Sequence, residues 1–351
     1  MIDWVTLLIK FTHPRIKCGH VIKLDKDGEV LVNFPTTERF TGSHESSIAI
    51  ASNDIDFDGI NSKVLFIDGN LAKFLQGHNI VGTDDLNLLV HQGLLKICNI
   101  LNIHLTQDTV HRIRSGDYIV KRIDITNYYE LGTHANVGQF LDAAAKKSRT
   151  RSGRAITNKG TVYFNKHSKR WAFKFYSKFD EIINGDKGHG LHNDFLNSPM
   201  LEWCRTKVRA ELVLRKLELL KIAQNTHKYA KECYGKDLCP NTIKNLFNEY
   251  MEKIDMSAQA TLYINEIEDL PPVVLGTYHL WRAGHDVRKV VSKATFYRHK
   301  TILMESADID ISLPALDATD PVLNVIPIRK VIEMEFVQTP ESFKRLQLVV
   351  N

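Results

Sequence analysis

One stretch limits the folds open to this chain more than any other: residues 161–178, TVYFNKHSKRWAFKFYSK. Val162 and Phe164 alternate with Thr161 and Tyr163, residues 165–168 make a polar turn, and the return run 170–179 keeps a period of two. Successive side chains of a strand point to opposite faces, so the pattern predicts a β-hairpin. Trp171, Phe173, Phe175 and Phe179 would share a buried face, leaving Ala172, Lys174, Tyr176 and Lys178 on the other. Tyr176 is therefore expected on a rigid strand, directed away from the core between two ammonium groups. A phenol so placed can bond to solvent, bind a base or phosphate, or attack phosphorus.

Charge narrows the choice. Between residues 143 and 179 there is no Asp or Glu, whereas Lys146, Lys147, Arg149, Arg151, Arg154, Lys159, Lys166, Lys169, Arg170, Lys174 and Lys178 are basic. A net charge of +5 identifies no partner by itself. Its clustering suits a polyphosphate backbone, the alternative being an edge hairpin with a solvated basic face. A chain of 351 residues has room for two domains. The cysteines Cys18, Cys98, Cys204, Cys233 and Cys239 are odd in number and match no common zinc spacing, which predicts free thiols in a reducing cytoplasm. The opening MIDWVTLLIKF is too short to span a bilayer and reads as a strand, so no membrane is expected.

Elsewhere the chain alternates short strands with helices. Strands at 21–24 and 30–34 flank Asp25-Lys26-Asp27-Gly28, a hairpin signal, and others follow at 46–52 and 63–68. Residues 54–59 imitate the start of a calcium loop, but Leu65 stands where its last ligand should be, so a polar loop is expected. Thr83-Asp84-Asp85 opens a helix with a stripe of Leu86, Leu89, Val90, Leu94, Ile97 and Leu101. His78, just before it, is either a metal ligand or a structural hydrogen-bonder. In the strand 118–126, Arg122 and Asp124 share one face, so Asp124 pairs with Arg122 or holds a metal. Residues 137–147 form a helix. Residues 208–214, VRAELVL, continue a helix or form a strand; as a strand they put Arg209 and Glu211 on one face. His189 and His192 fall in a loop-like stretch. Beyond about residue 225 helices dominate: one capped by Asn241, one near 258–268, then helix, turn, helix, cap, helix over 273–305. That last group is either a helix-turn-helix that docks on DNA, with Arg298 and Lys300 outward, or a plain bundle. The tail alternates again at 331–337.

The segments LAKFLQGHNIVGTDDL (71–86), RIDIT (122–126), FYSK (175–178), VRAEL (208–212) and LWRAGHDV…TFYRHK…DIDI (280–311) together resemble the gene II/X replication initiators of filamentous bacteriophages and their plasmid relatives. The resemblance implies a site-specific DNA nickase and strand transferase that starts rolling-circle replication in the bacterial host cytoplasm. The fold it implies is α+β: an antiparallel sheet with helices packed on one face over 1–225, then a mainly helical DNA-binding domain over 226–351. In that family the tyrosine of the Y-x-K strand is the nucleophile, here Tyr176, and Lys178 is expected to stabilise charge developing on it. Mg²⁺ or Mn²⁺ is expected on Asp124 and Glu211, with His78 next and Asp68 beyond it; the chain departs from the wider superfamily in having no His-hydrophobe-His motif. Lys146, Lys147, Arg149, Arg151, Arg154, Lys169, Arg170, Lys174, Arg298 and Lys300 are the expected DNA contacts. Origin DNA, a host helicase, a host DNA polymerase and a second copy of the chain on the origin are the expected partners. A nuclease that uses water, and a regulator that only binds DNA, are the rival readings.

Overall fold

The apolar alternation of the first residues builds β1 (Ile2–Pro14), which buries Val5, Leu7 and Ile9 on one side and turns Trp4 and Thr6 to the other. This is a computed structural model, and it describes residues 1–55, 60–132, 134–184, 193–196, 198–256, 270–307, 310–312, 337 and 340. The hairpin of β2 (His20–Leu24) and β3 (Val30–Pro35) follows, then β4 (Glu38–Thr41), β5 (Ser47–Ile55) and β6 (Asn61–Gly69). Helix α1 (Leu71–Gln76) is capped by the Asn70 side chain and ends at Gly77 in the left-handed region. Helix α2 (Leu86–Leu101) starts from an Asp85 cap and buries the expected stripe of Leu86, Leu89, Val90, Leu94 and Ile97. Then come α3 (Gln107–Arg114), β7 (Ile119–Glu130), α4 (His134–Lys147), the short strands β8 (Arg149–Thr150), β9 (Gly153–Arg154) and β10 (Ile156–Asn158), and the hairpin β11 (Thr161–Phe164) and β12 (Trp171–Ser177). Helices α5 (Lys178–Asn184), α6 (Asn193–Leu196) and α7 (Pro199–Arg205) lead to β13 (Lys207–Arg215), α8 (Lys216–Thr226) and α9 (Pro240–Glu252).

Nine strands make one antiparallel sheet in the order β10-β11-β12-β13-β7-β1-β6-β5-β4. Residues 208–214 are thus a central strand, and the fold is α+β with a large antiparallel sheet and helices. On the aromatic side of β12, Phe175 meets Phe140 of α4 edge-on, Phe173 lies against Phe247 of α9, and Trp171 meets Tyr250. Burying Phe173 and Phe175 fully and Trp171 in part is among the largest apolar contributions a strand this short can make.

The chain divides into two compact units. The first holds Met1–Leu141 and Arg149–Ile254, with Val337 donating its N–H to the Tyr128 carbonyl. The division expected at 225/226 falls inside this unit, because α9 supplies Phe247 and Tyr250 to the sheet's aromatic face. The second unit holds Asp142–Ser148 and the described residues between 255 and 334. In it, α10 (Pro272–Arg282), α11 (Val287–Val290) and α12 (Lys293–Ala307) bury Val274, Tyr278, Val287, Phe296 and Leu303 together.

Three local expectations change. The strand stops at Ser177, whose hydroxyl accepts from the Asp180 N–H and, with Asp180 and Glu181 in the first turn, starts α5. Lys178 and Phe179 therefore leave the alternation. Helix α9 begins at Pro240, where a missing N–H costs nothing, so Cys239 rather than Asn241 is its N-cap. Tyr176 does not look into solvent: it is 7% exposed. Residues 56–59, His189, His192, the helix expected near 258–268 and most of 331–337 lie outside the described residues. All five cysteines are free thiols, and no helix among the described residues is long and apolar enough to cross a membrane.

Candidate active site

Strand register sets a polar array on the sheet face opposite the aromatic one. Lys174 lies opposite Glu211, which lies opposite Thr126, and Tyr176 lies opposite Arg209, which lies opposite Tyr128. One step along, Val213 faces Asp124, and Asp124 faces Trp4; a further step pairs Arg215 with Arg122. Thr6, opposite Arg122, has Asp68 on its other side. Period-two alternation in three strands thus puts Tyr176, Lys174, Glu211, Asp124 and Arg122 on one surface.

The side chains are tightly tied. The Tyr176 hydroxyl donates to Glu211 Oε2 at 3.1 Å, while Lys174 Nζ lies 2.5 Å from Glu211 Oε1. Arg122 donates to both oxygens of Asp124, at 2.8 and 2.6 Å, with its guanidinium 5.5 Å from the Trp4 ring centroid. Asp124 and Glu211 are 2% and 3% exposed. Burial and the charge of Glu211 push the Asp124 carboxyl up to about 7 although Arg122 opposes the shift. Burial drives the Tyr176 phenol well above its usual range, with Glu211 adding to the rise and Arg209 opposing it. The phenol therefore rests protonated at neutral pH.

The same face carries Arg209, whose partners no local pattern points to. Arg209 is fully buried, donating to Asp3 Oδ1 at 2.7 Å, the Asn79 carbonyl at 2.6 Å, Thr126 Oγ1 at 3.2 Å and the Tyr128 hydroxyl at 3.3 Å. Its guanidinium sits 5.8 Å from the Tyr176 ring centroid and 5.5 Å from that of Tyr128. Burial pushes Asp3 upward, but Arg209 and the nearby lysines hold it below the usual carboxylate range. Asn70 and Asn79 complete the Asp3 cradle, each donating at 2.9 Å. The only hint in the sequence was an arginine in mid-strand among apolar residues, which needs a partner somewhere.

Two candidates fall away from the array. Lys178 is buried in the first turn of α5 and pairs with Glu181 at 2.7 Å, so the cation against the Tyr176 ring is Arg209 instead. His78 packs edge-on against Phe195 and contacts Gln76, and burial lowers its imidazole to about 4, with His44 and Lys178 adding to the shift. Among the described residues no three His, Cys, Asp or Glu side chains converge to hold a metal, so Asp124, Glu211 and His78 do not form one ligand set. Asp68 accepts from Trp4 Nε1 at 3.0 Å and from Thr6 Oγ1 at 2.5 Å. What remains for a divalent ion is the pair Asp124 and Glu211.

Two family models for the phage gene II replication-associated protein match the chain, that of its N-terminal part over residues 1–233 and that of its C-terminal part over 275–349. The chain belongs to the gene II replication-associated protein family. A curated member, the replication-associated protein of Enterobacteria phage I2-2, is 37% identical over 347 residues, covering 99% of this chain and 97% of that one. A solved rolling-circle replication initiator from Geobacillus stearothermophilus aligns over 74% of this chain and 88% of its own at 13% identity and a TM-score of 0.32, too loose a likeness to transfer any residue.

The remaining site residues of this gene II family chain fall into two classes. Arg149, Arg151 and Arg154 are exposed on β8, β9 and the turn between them, Lys169 is exposed in the turn before β12, and Lys146 is exposed on α4. The Lys147 side chain lies outside the described residues. Arg170 pairs with the buried Glu218 at 3.0 Å, and Lys174 is committed to Glu211, so neither is a free DNA contact. In the second unit Arg298 is exposed on α12, whereas Lys300 pairs with Asp310 at 3.0 Å and bonds to Ser312 Oγ at 2.8 Å.

Proposed function

We propose that this chain is a site-specific single-strand DNA endonuclease and strand transferase that starts rolling-circle replication by cutting origin DNA through Tyr176. The observation that carries the reading is the hydrogen bond from the Tyr176 hydroxyl to Glu211 Oε2 at 3.1 Å. A phenol that burial keeps protonated cannot attack until a base takes its proton, and Glu211 is within reach. In the proposed step Tyr176 Oη bonds to phosphorus, the P–O3′ bond breaks, the phenol proton passes to Glu211, and the departing 3′ oxygen takes a proton from water. The products are a 5′-phosphotyrosine and a 3′-hydroxyl able to prime synthesis. Reversal by an incoming 3′-hydroxyl rejoins a strand without a nucleotide cofactor, because the tyrosyl ester conserves the broken linkage.

The other side chains have electrostatic work. Arg209 beside the ring favours the negative charge that grows on the phenol oxygen. Lys174 fixes the Glu211 carboxylate in place through its second oxygen. Mg²⁺ or Mn²⁺ enters the proposal through Asp124 and Glu211, hard oxygen donors on one face that repel each other when both are ionised. When bound, the ion would polarise the scissile phosphate. Arg122 and Lys174 neutralise those carboxylates here. Exposed Arg149, Arg151, Arg154 and Lys169 would hold the cut strand, and α12, with Lys293, Tyr297 and Arg298 exposed, would lie on duplex origin DNA. A host helicase and polymerase would then act at the freed 3′ end.

The test is to incubate the protein with supercoiled origin DNA and Mg²⁺, then run the DNA under denaturing conditions. A protein–DNA adduct that survives denaturant is expected, and Tyr176→Phe should remove it. An adduct that persists in Tyr176→Phe overturns the assignment of the nucleophile; nicked DNA free of protein points to attack by water.

A further inference from the structure

We propose that Arg122 and Arg215 form a binding site for a phosphodiester of the single strand, beside the reacting phosphate and separate from it. The inference rests on reading this sheet face as the DNA face. Arg215 closes β13 directly opposite Arg122 of β7, so two arginines stand side by side on one face of adjacent strands, near enough for the charge of Arg122 to act on Arg215. Like charges in that relation destabilise a sheet unless something lies between or over them. Arg122 has Nε and Nη2 on Asp124, which leaves Nη1 for another acceptor. Arg215 Nη1 is buried and has no hydrogen-bond partner. Arg170, whose carbonyl accepts from the Arg215 N–H, is paired with Glu218, as Arg122 is with Asp124. One oxyanion would satisfy the orphaned Arg215 donor and the spare Arg122 nitrogen together.

The geometry selects the kind of anion. Guanidinium donors in a planar fork match phosphate oxygens. Arg215 is four residues beyond Glu211 on the same strand and face, roughly 13 Å at the usual strand rise. That is too far for the phosphate attacked by Tyr176, and a suitable distance for one a few nucleotides along the same strand. Of the neighbours on this face, Lys174 beside Glu211 and Trp4 beside Asp124 are both part-exposed.

Binding of a fluorescein-labelled oligo(dT) by anisotropy, across a range of NaCl concentrations, tests the site. The parent is Tyr176→Phe, so no covalent step enters the measurement. Adding Arg215→Gln should weaken binding roughly tenfold and flatten the plot of log K against log[salt] by about 0.7. Arg215→Lys should keep the salt slope while losing part of the affinity. Unchanged affinity and slope in Arg215→Gln overturn the proposal. If Arg215→Gln folds poorly, the Arg215→Lys comparison decides, since affinity equal to the parent's also refutes a guanidinium fork. Absence of a covalent adduct with the wild-type protein would instead sink the nickase reading and leave the anion site standing.

Discussion

The two faces of β12 solve different problems with the same seven residues. Trp171, Phe173 and Phe175 are held by shape alone, against Tyr250, Phe247 and Phe140. Lys174 and Tyr176, one residue out of phase, each have a named atom to meet on Glu211. Apolar burial is roughly proportional to area and indifferent to direction, so the first face supplies stability and pins the register. The second face uses that register to bring charged groups within bonding distance, where their desolvation makes them costly and therefore responsive. A slip of one residue would exchange the two roles and abolish both.

Four measurements would break or sharpen this contrast. The largest effect is expected on the polar face: Glu211→Gln should slow adduct formation by about 10²–10⁴-fold in a quench assay, while denaturant melts shift far less. Phe173→Ala should do the opposite, costing about 3–5 kcal/mol in chemical denaturation and leaving the rate per folded molecule nearly intact. If Phe173→Ala slows the folded enzyme as much as Glu211→Gln does, the division of labour is wrong.

The third concerns pH. The imidazole of His78 is depressed to about 4 from 6.5, so the unfolded chain binds more protons between those values. Its contribution is complete above pH 6.5 and is lost as pH falls toward 4, by as much as roughly 3 kcal/mol. His78→Gln should flatten the acid side of the stability profile, and an unaltered profile would refute the shift. The smallest effect is Glu218→Gln, which weakens the Tyr250 and Arg170 contacts beneath the aromatic face. It should cost about 1–3 kcal/mol in denaturant melts without touching the salt dependence of DNA binding.

Much of this was legible from residue order. Alternation in 122–126 and 170–176 put Asp124 and Tyr176 on strands with the correct sides outward, because period two is a local property, whereas 208–214 read equally as helix or strand until the sheet placed Glu211. The alternation could not say that the outward side is itself covered. Nor could it choose which strands are neighbours, and the Asp124–Glu211 proximity depends on β7 lying beside β13. Lys178 was misread because the Ser177 cap, a side-chain bond to the Asp180 N–H, overrides a strand pattern that the residue types would have continued. His78 carries a metal-like residue type in a loop, and only its packing against Phe195 reveals a neutral ring. Asp3 and Arg209 gave no usable signal of each other, since their ion pair belongs to the tertiary structure alone.

That last pair has a consequence for synthesis. Asp3 and Arg209 are 206 positions apart, so the tyrosine has no oriented guanidinium behind it until the ribosome has released most of the polypeptide. A chain interrupted before β13 would carry Tyr176 but lack both Glu211, which accepts from its hydroxyl, and Arg209, which lies beside its ring.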